Sequence, residues 1–190
     1  MKDLEALALV TTEAPLLSPA ESQFLRTVAR HESFYADGWK SNADIPGAVG
    51  DPRTSNNWGA ITAKNPPFFT YLDGLGVKEP RQFKVYASDG PAIRDLSREL
   101  FIRRPAIIEK LKEGDGAGAV AVMKATRYFQ APLESYIEAA RRNYESLLKG
   151  TSEPRLLRFN AAQSSGTPSI DPILGMILTL GAMWTMHKWL

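Results

Sequence analysis

Apolar residues recur three and four positions apart along most of this sequence, which is the period of an α-helix with one face turned inward. Phe24 and Val28 share a face in the first clear segment, with Leu25 and Ala29 beside them. Its start carries three agreeing signals: Ser18 can cap, Pro19 suits the first helical position, and Glu21 completes a capping box. The spacing returns in Ile93, Leu96, Leu100 and Phe101, then in Ile107, Ile108 and Leu111 after Pro105, then in Ala119, Val120, Val122 and Met123. Pro132 opens a longer segment striped by Leu133, Ile137, Ala140, Tyr144 and Leu147, and Gly150 stands where a helix commonly ends. This pattern predicts a mainly α-helical domain.

Between Tyr35 and Asn57 the period is lost. Gly38, Pro46, Gly47, Gly50, Asp51, Pro52, Asn56 and Asn57 mark a long loop, and long loops in compact domains are usually functional or disordered. Short strands are expected around Trp58–Thr62 and Gln82–Tyr86, with turns rich in proline and glycine between them. Residues 1–17 read as an N-terminal arm or short leading helix, 18–149 as the folded domain, 150–172 as a linker, and 173–190 as an apolar tail helix. From Pro172 to Leu190 only Lys188 is charged, and it lies with Trp184 and Trp189 as a membrane-interface anchor would. The apolar run, about 14 residues, is shorter than the roughly 20 that span a bilayer. The competing reading is a helix buried against another protein.

Composition removes several chemistries. A chain of 190 residues suits one well-packed domain. It has no cysteine, which excludes disulfides, thiol catalysis and cysteine-based zinc sites. Its two histidines, His31 and His187, lie far apart, so a histidine-rich metal site is not expected, and no feature of the sequence calls for a metal or cofactor. A net charge of +2 gives no strong field for nucleic acid, while a pI near 8.8 suits contact with anionic wall polymers. Met1-Lys2-Asp3-Leu4-Glu5 lacks the basic region and clean apolar core of a signal peptide.

Glu32 falls on the apolar face of its helix, close to where that helix meets the polar loop. Partial burial there disfavours the ionised carboxyl and raises its pKa. A general acid for glycosidic cleavage needs that shift, since it must hold a proton near neutral pH. Spacing alone is equally met by a carboxylate satisfied by Arg30 or by backbone donors.

Four segments bear on the choice. Arg30-His31-Glu32-Ser33-Phe34-Tyr35 resembles the Glu-Ser-aromatic or Glu-Ser-Gly segment that ends the first catalytic helix of glucosaminidases and lytic transglycosylases. Asn56-Asn57-Trp58-Gly59-Ala60-Ile61 is similar to their Asn-Asn-Leu-Phe-Gly-Ile segment, and Phe83-Lys84-Val85-Tyr86-Ala87-Ser88 to their Phe-Arg-x-Tyr-x-Ser strand. Ala125-Thr126-Arg127-Tyr128-Phe129-Gln130-Ala131-Pro132, followed by Tyr136, resembles their Gly-Tyr-Ala-Thr-Asp-Pro-x-Tyr segment. In this order, over roughly residues 19–149, the chain resembles the N-acetylglucosaminidase family of peptidoglycan hydrolases within the lysozyme-like superfamily.

The resemblance implies an α+β lysozyme-like fold, in which a helical domain and a small β-hairpin lobe enclose a glycan groove. It implies Glu32 as catalytic acid and Tyr128 as a catalytic-site tyrosine facing it, with Asn57, Trp58 and Tyr136 on the substrate. A second carboxylate would come from Asp73 or Glu79 by hairpin position, or from Asp51 or Asp44 in the cleft-side loop; each is also a good turn residue. His31 is expected to be a surface or packing residue. Two departures stand out: Gln130 and Ala131 replace the family's threonine and aspartate before the proline, and the loop from Ala36 to Ser55 is long.

The expected activity is cleavage of the β-1,4 glycan backbone of bacterial cell wall by general acid catalysis from Glu32. The expected partners are peptidoglycan strands, and a membrane or virion component through 173–190. A wall-degrading domain with an apolar tail and no signal peptide points to a bacteriophage enzyme, virion-associated or lytic, in the virion or the host envelope. Alternatives are a lytic transglycosylase using the same Glu32, a catalytically weak virion or wall-binding module, and a membrane-tethered assembly protein.

Overall fold

The computed structural model describes residues 3–36, 55–63, 68–71 and 81–160, and these are mainly helical. The helices are α1 (Asp3–Glu13), α2 (Pro19–Ser33), α3 (Asp89–Ser97), α4 (Ala106–Lys112), α5 (Gly116–Ala125) and α6 (Leu133–Gly150). Two strands, β1 (Phe68–Tyr71) and β2 (Arg81–Lys84), pair antiparallel with Phe68 opposite Lys84 and Tyr71 opposite Arg81.

α2 lies at the centre, packed on α6 and flanked by α1 and α4. Its start follows the sequence signals: the Ser18 amide donates to Glu21 Oε2 at 2.6 Å, and the Glu21 amide donates to Ser18 Oγ at 3.3 Å. Every residue from Gln23 to Ala29 is buried, so the interior takes nearly the whole circumference of this stretch and not a single stripe. Polar members of that run need partners. Gln23 Nε2 donates to Pro154 O at 2.8 Å, and the fully buried Arg26 donates through Nη2 to Glu153 Oε1 at 2.7 Å.

Those two partners lie beyond Gly150, where a linker was expected to begin. Residues 151–160 instead pack onto the helices. Leu157 is fully buried and Phe159 nearly so. The Leu156 and Leu157 amides donate to Tyr144 Oη at 2.8 and 2.9 Å, and Tyr144 Oη donates to Gln23 Oε1 at 2.9 Å. The Arg158 amide donates to the carbonyl of Gly114, whose φ of 68° ends the turn after α4. At the other end, the expected arm is α1 itself, with Ala6 and Val10 fully buried.

The strand expected over Trp58–Thr62 does not form. Asn57 intervenes: its Nδ2 donates to Ile61 O at 2.9 Å, and the Ile61 amide donates to its Oδ1 at 2.9 Å. This side chain closes a tight loop, and only Thr62 goes on to bridge to Phe83 beside β2. The strand expected over Gln82–Tyr86 is β2, shifted slightly, and β1 was not anticipated. The helical spacing through Leu100 and Phe101 also hides a change of winding, because residues Arg98–Ile102 form a π-helical turn after α3.

No helix among the described residues is long and apolar enough to cross a membrane. The tail 173–190, the remaining linker residues 161–172 and the loop 37–54 lie outside the described residues.

Candidate active site

Glu32 occupies the last turn of α2, where the chain leaves the helix through an abrupt reversal. Phe34 takes a left-handed conformation, with φ 48°, and its amide donates back to Arg30 O at 3.1 Å. Tyr35 and Ala36 are left-handed as well, at φ 57° and 71°. Buried contacts hold this run of unfavourable backbone. Ser33 Oγ donates to Trp58 O at 2.8 Å and accepts from the Ala36 amide at 2.9 Å, while Tyr35 Oη donates to Asp3 Oδ1 at 2.8 Å. The remaining left-handed non-glycine residues among those described are Asn56, Ala60 and Arg127, in the two other loops that border Glu32. Strain of this kind collects where a site over-determines its backbone.

A groove of about 510 Å³ opens in front of Glu32. Gly59 to Thr62, Lys84, Glu99, Arg103, Arg104, Arg127 and Tyr128 line it. The volume suits a small-molecule or glycan segment. Gly59 packs closely here: a Cβ would lie 2.5 Å from Leu96 Cδ1, so a larger residue would displace that side chain. Its carbonyl accepts from Tyr128 Oη at 3.0 Å, which ties the α5–α6 connection to the Asn57 loop across the groove.

The electrostatics of Glu32 follow from two opposed causes. Protein surrounds its carboxyl, and loss of hydration pushes its pKa up, while a hydrogen bond donated by Tyr136 pulls it down; the balance is about 7. Tyr136 Oη lies 2.5 Å from Glu32 Oε1. The Tyr136 ring is fixed by stacking on Phe129, centroids 3.8 Å apart, and by an edge contact with His31 at 4.4 Å. Burial first, and then the charge of Arg142, hold the His31 pKa below its ordinary value. His31 is thus a neutral packing partner at pH 7.

Tyr128 lines the same groove as Glu32. Burial first and the Glu32 charge second raise its pKa well above the ordinary value, so its hydroxyl is a permanent donor. The Arg104 guanidinium covers one face of its ring at 5.0 Å, leaving at most the other for a sugar. Tyr136, expected on the substrate, is buried behind Glu32 and orients the carboxyl instead.

Asn57 and Trp58, also expected on the substrate, are fully buried. The amide of Asn57 is engaged by Ile61 and by Lys84 O, at 3.1 Å for the latter. Trp58 packs on Tyr35, and its Nε1 donates to Asp89 Oδ1 at 2.7 Å. Both build the groove wall from behind. The four carboxylates considered for a second catalytic role, Asp44, Asp51, Asp73 and Glu79, lie outside the described residues.

Sequence reasoning missed Glu99. It reaches the groove from the π-helical turn, buried and paired with both Arg103 and Arg104. A signal for it exists: Glu99 follows Leu96 by three residues on an otherwise apolar face, as Glu32 follows Val28 by four. Lys84 is likewise paired, donating to Asp95 Oδ2 at 2.6 Å. No protein family, curated protein or solved structure matches this chain.

Proposed function

We propose that the protein is a glycosidase that cleaves the β-1,4 glycan backbone of bacterial peptidoglycan, with Glu32 as the general acid and a helical, hairpin-bearing domain of the lysozyme-like kind. One observation carries this reading: a carboxyl at the base of a glycan-sized groove has its pKa lifted to about 7, with Tyr136 as its hydrogen-bond donor. Such a group is protonated for part of its time at neutral pH, and can hand its proton to a glycosidic oxygen as the C–O bond breaks. The four sequence segments that resemble wall hydrolases support peptidoglycan as the substrate. Release of sugar fragments from purified cell walls by wild type, and none by Glu32→Gln, is the test. Equal release by the two proteins rejects the reading.

A transglycosylase outcome has its own support. Among the described residues, Glu99 is the other carboxylate lining the groove, and Arg103 and Arg104 neutralise it. With Glu32 acting alone, the substrate's own hydroxyl completes the cleavage and the product is an anhydro sugar, lighter by one water. Mass spectrometry of the fragments separates the two outcomes. Delivery by a bacteriophage virion or lysis system, with the segment 173–190 as membrane anchor, completes the proposal and rests on the sequence alone.

A further inference from the structure

We propose that Arg127 is a substrate-selecting residue that binds a carboxylate on the peptide stem of the wall glycan beside the bond to be cleaved, an inference that rests on the glycan-cleaving reading above. Four cations line the groove. Arg103 and Arg104 are held by Glu99, and Lys84 by Asp95. Arg127 alone of the four has no carboxylate partner among the described residues, and it is exposed at the groove wall next to Tyr128.

Its backbone adds an independent observation. Arg127 sits at φ 57°, directly after the end of α5, in a conformation that glycine or asparagine adopts far more readily. Its amide is satisfied by Lys124 O at 3.0 Å, a turn that glycine would make without strain. Among the described residues, the guanidinium makes no hydrogen bond or ion pair that ties it to the fold. What remains is its charge and its fork of donors, at the wall of a groove that Glu32 also lines. A planar guanidinium matches a carboxylate in two-point geometry. Wall glycan carries carboxylates on its stems, whereas chitin-type glycan of the same backbone linkage carries none.

The test uses the full chain carrying Glu32→Gln, so that nothing is turned over, and measures binding of a stem-bearing wall tetrasaccharide and of chitotetraose by calorimetry. The stem-bearing glycan should bind roughly tenfold more tightly, as one charge-assisted contact provides. Adding Arg127→Gly should erase that preference by weakening the stem-bearing glycan to the level of chitotetraose, and should keep or raise the melting temperature because the strain is relieved. A preference that survives Arg127→Gly, or equal binding of the two glycans before it, overturns the role of Arg127 and leaves the glycosidase reading standing. Binding of neither glycan overturns that reading and this one together.

Discussion

Tyr136 and Glu32 stand 104 residues apart in the chain, yet the tyrosine hydroxyl lies 2.5 Å from the carboxylate it serves. That bond favours the ionised carboxylate, and burial disfavours it; burial wins, and the Glu32 pKa settles near 7. Most of what can be tested about this protein follows from that balance.

Replacing Glu32 with glutamine preserves shape and the acceptor oxygen for Tyr136 but removes the proton. Wall cleavage is expected to fall by about a hundredfold or more, with circular dichroism unchanged. Residual activity above a few per cent of wild type rules Glu32 out as the acid.

The same variant should reveal the cost of the site through pH. Because the folded pKa lies above the ordinary value of 4.5, the folded state binds the proton more tightly than the unfolded state. The contribution of Glu32 to stability is therefore fully present below about pH 4.5 and is lost as pH rises through about 7, by up to about 3 kcal/mol. Glu32→Gln, which cannot ionise, should melt above wild type at pH 8, and the gap should close near pH 4.5. A gap that stays constant over this range shows that Glu32 does not titrate as described.

Tyr136→Phe keeps the ring between Phe129 and His31 and deletes only the donor. Losing a bond to the charged form pushes the Glu32 pKa higher still. The basic limb of the pH–activity profile should move up by about one pH unit, the equivalent of one ordinary hydrogen bond. An unshifted profile with lower activity throughout indicates that Tyr136 acts only by packing.

A chain ending at Asn160 should fold like the whole domain, and one ending at Leu148 should not. The shorter chain loses buried Leu157 and leaves the fully buried Arg26 without Glu153. The first loss costs about 2–5 kcal/mol and the second is of similar size. Urea denaturation of the two chains gives the comparison, and equal midpoints refute it.

The tail makes a separate prediction. The full chain should sediment with liposomes, and the chain ending at Asn160 should remain in solution. If both remain in solution as monomers, the membrane-anchor reading fails.

Local signals in the chain account for much of this molecule. Ser18, Pro19 and Glu21 announce α2, Pro132 and Gly150 bracket α6, and Gly114 stops the turn after α4, because caps and breakers act within a few residues of themselves. Glu32 is legible too, as a carboxylate in an apolar stripe. The sequence by itself thus determined where most of the helices run and that Glu32 would face the interior, whereas the burial of Arg26 and Glu99 came only with the tertiary structure. Tertiary structure alone decided what those groups touch. Whether Tyr136 meets sugar or carboxyl, whether Trp58 faces a groove or Asp89, and whether residues 151–160 trail or pack are all set by partners distant in the chain. The physical reason is range: a helix signal is local, whereas burial, hydrogen-bond partnership and pKa depend on which surfaces meet when α2, α6 and the Asn57 loop come together.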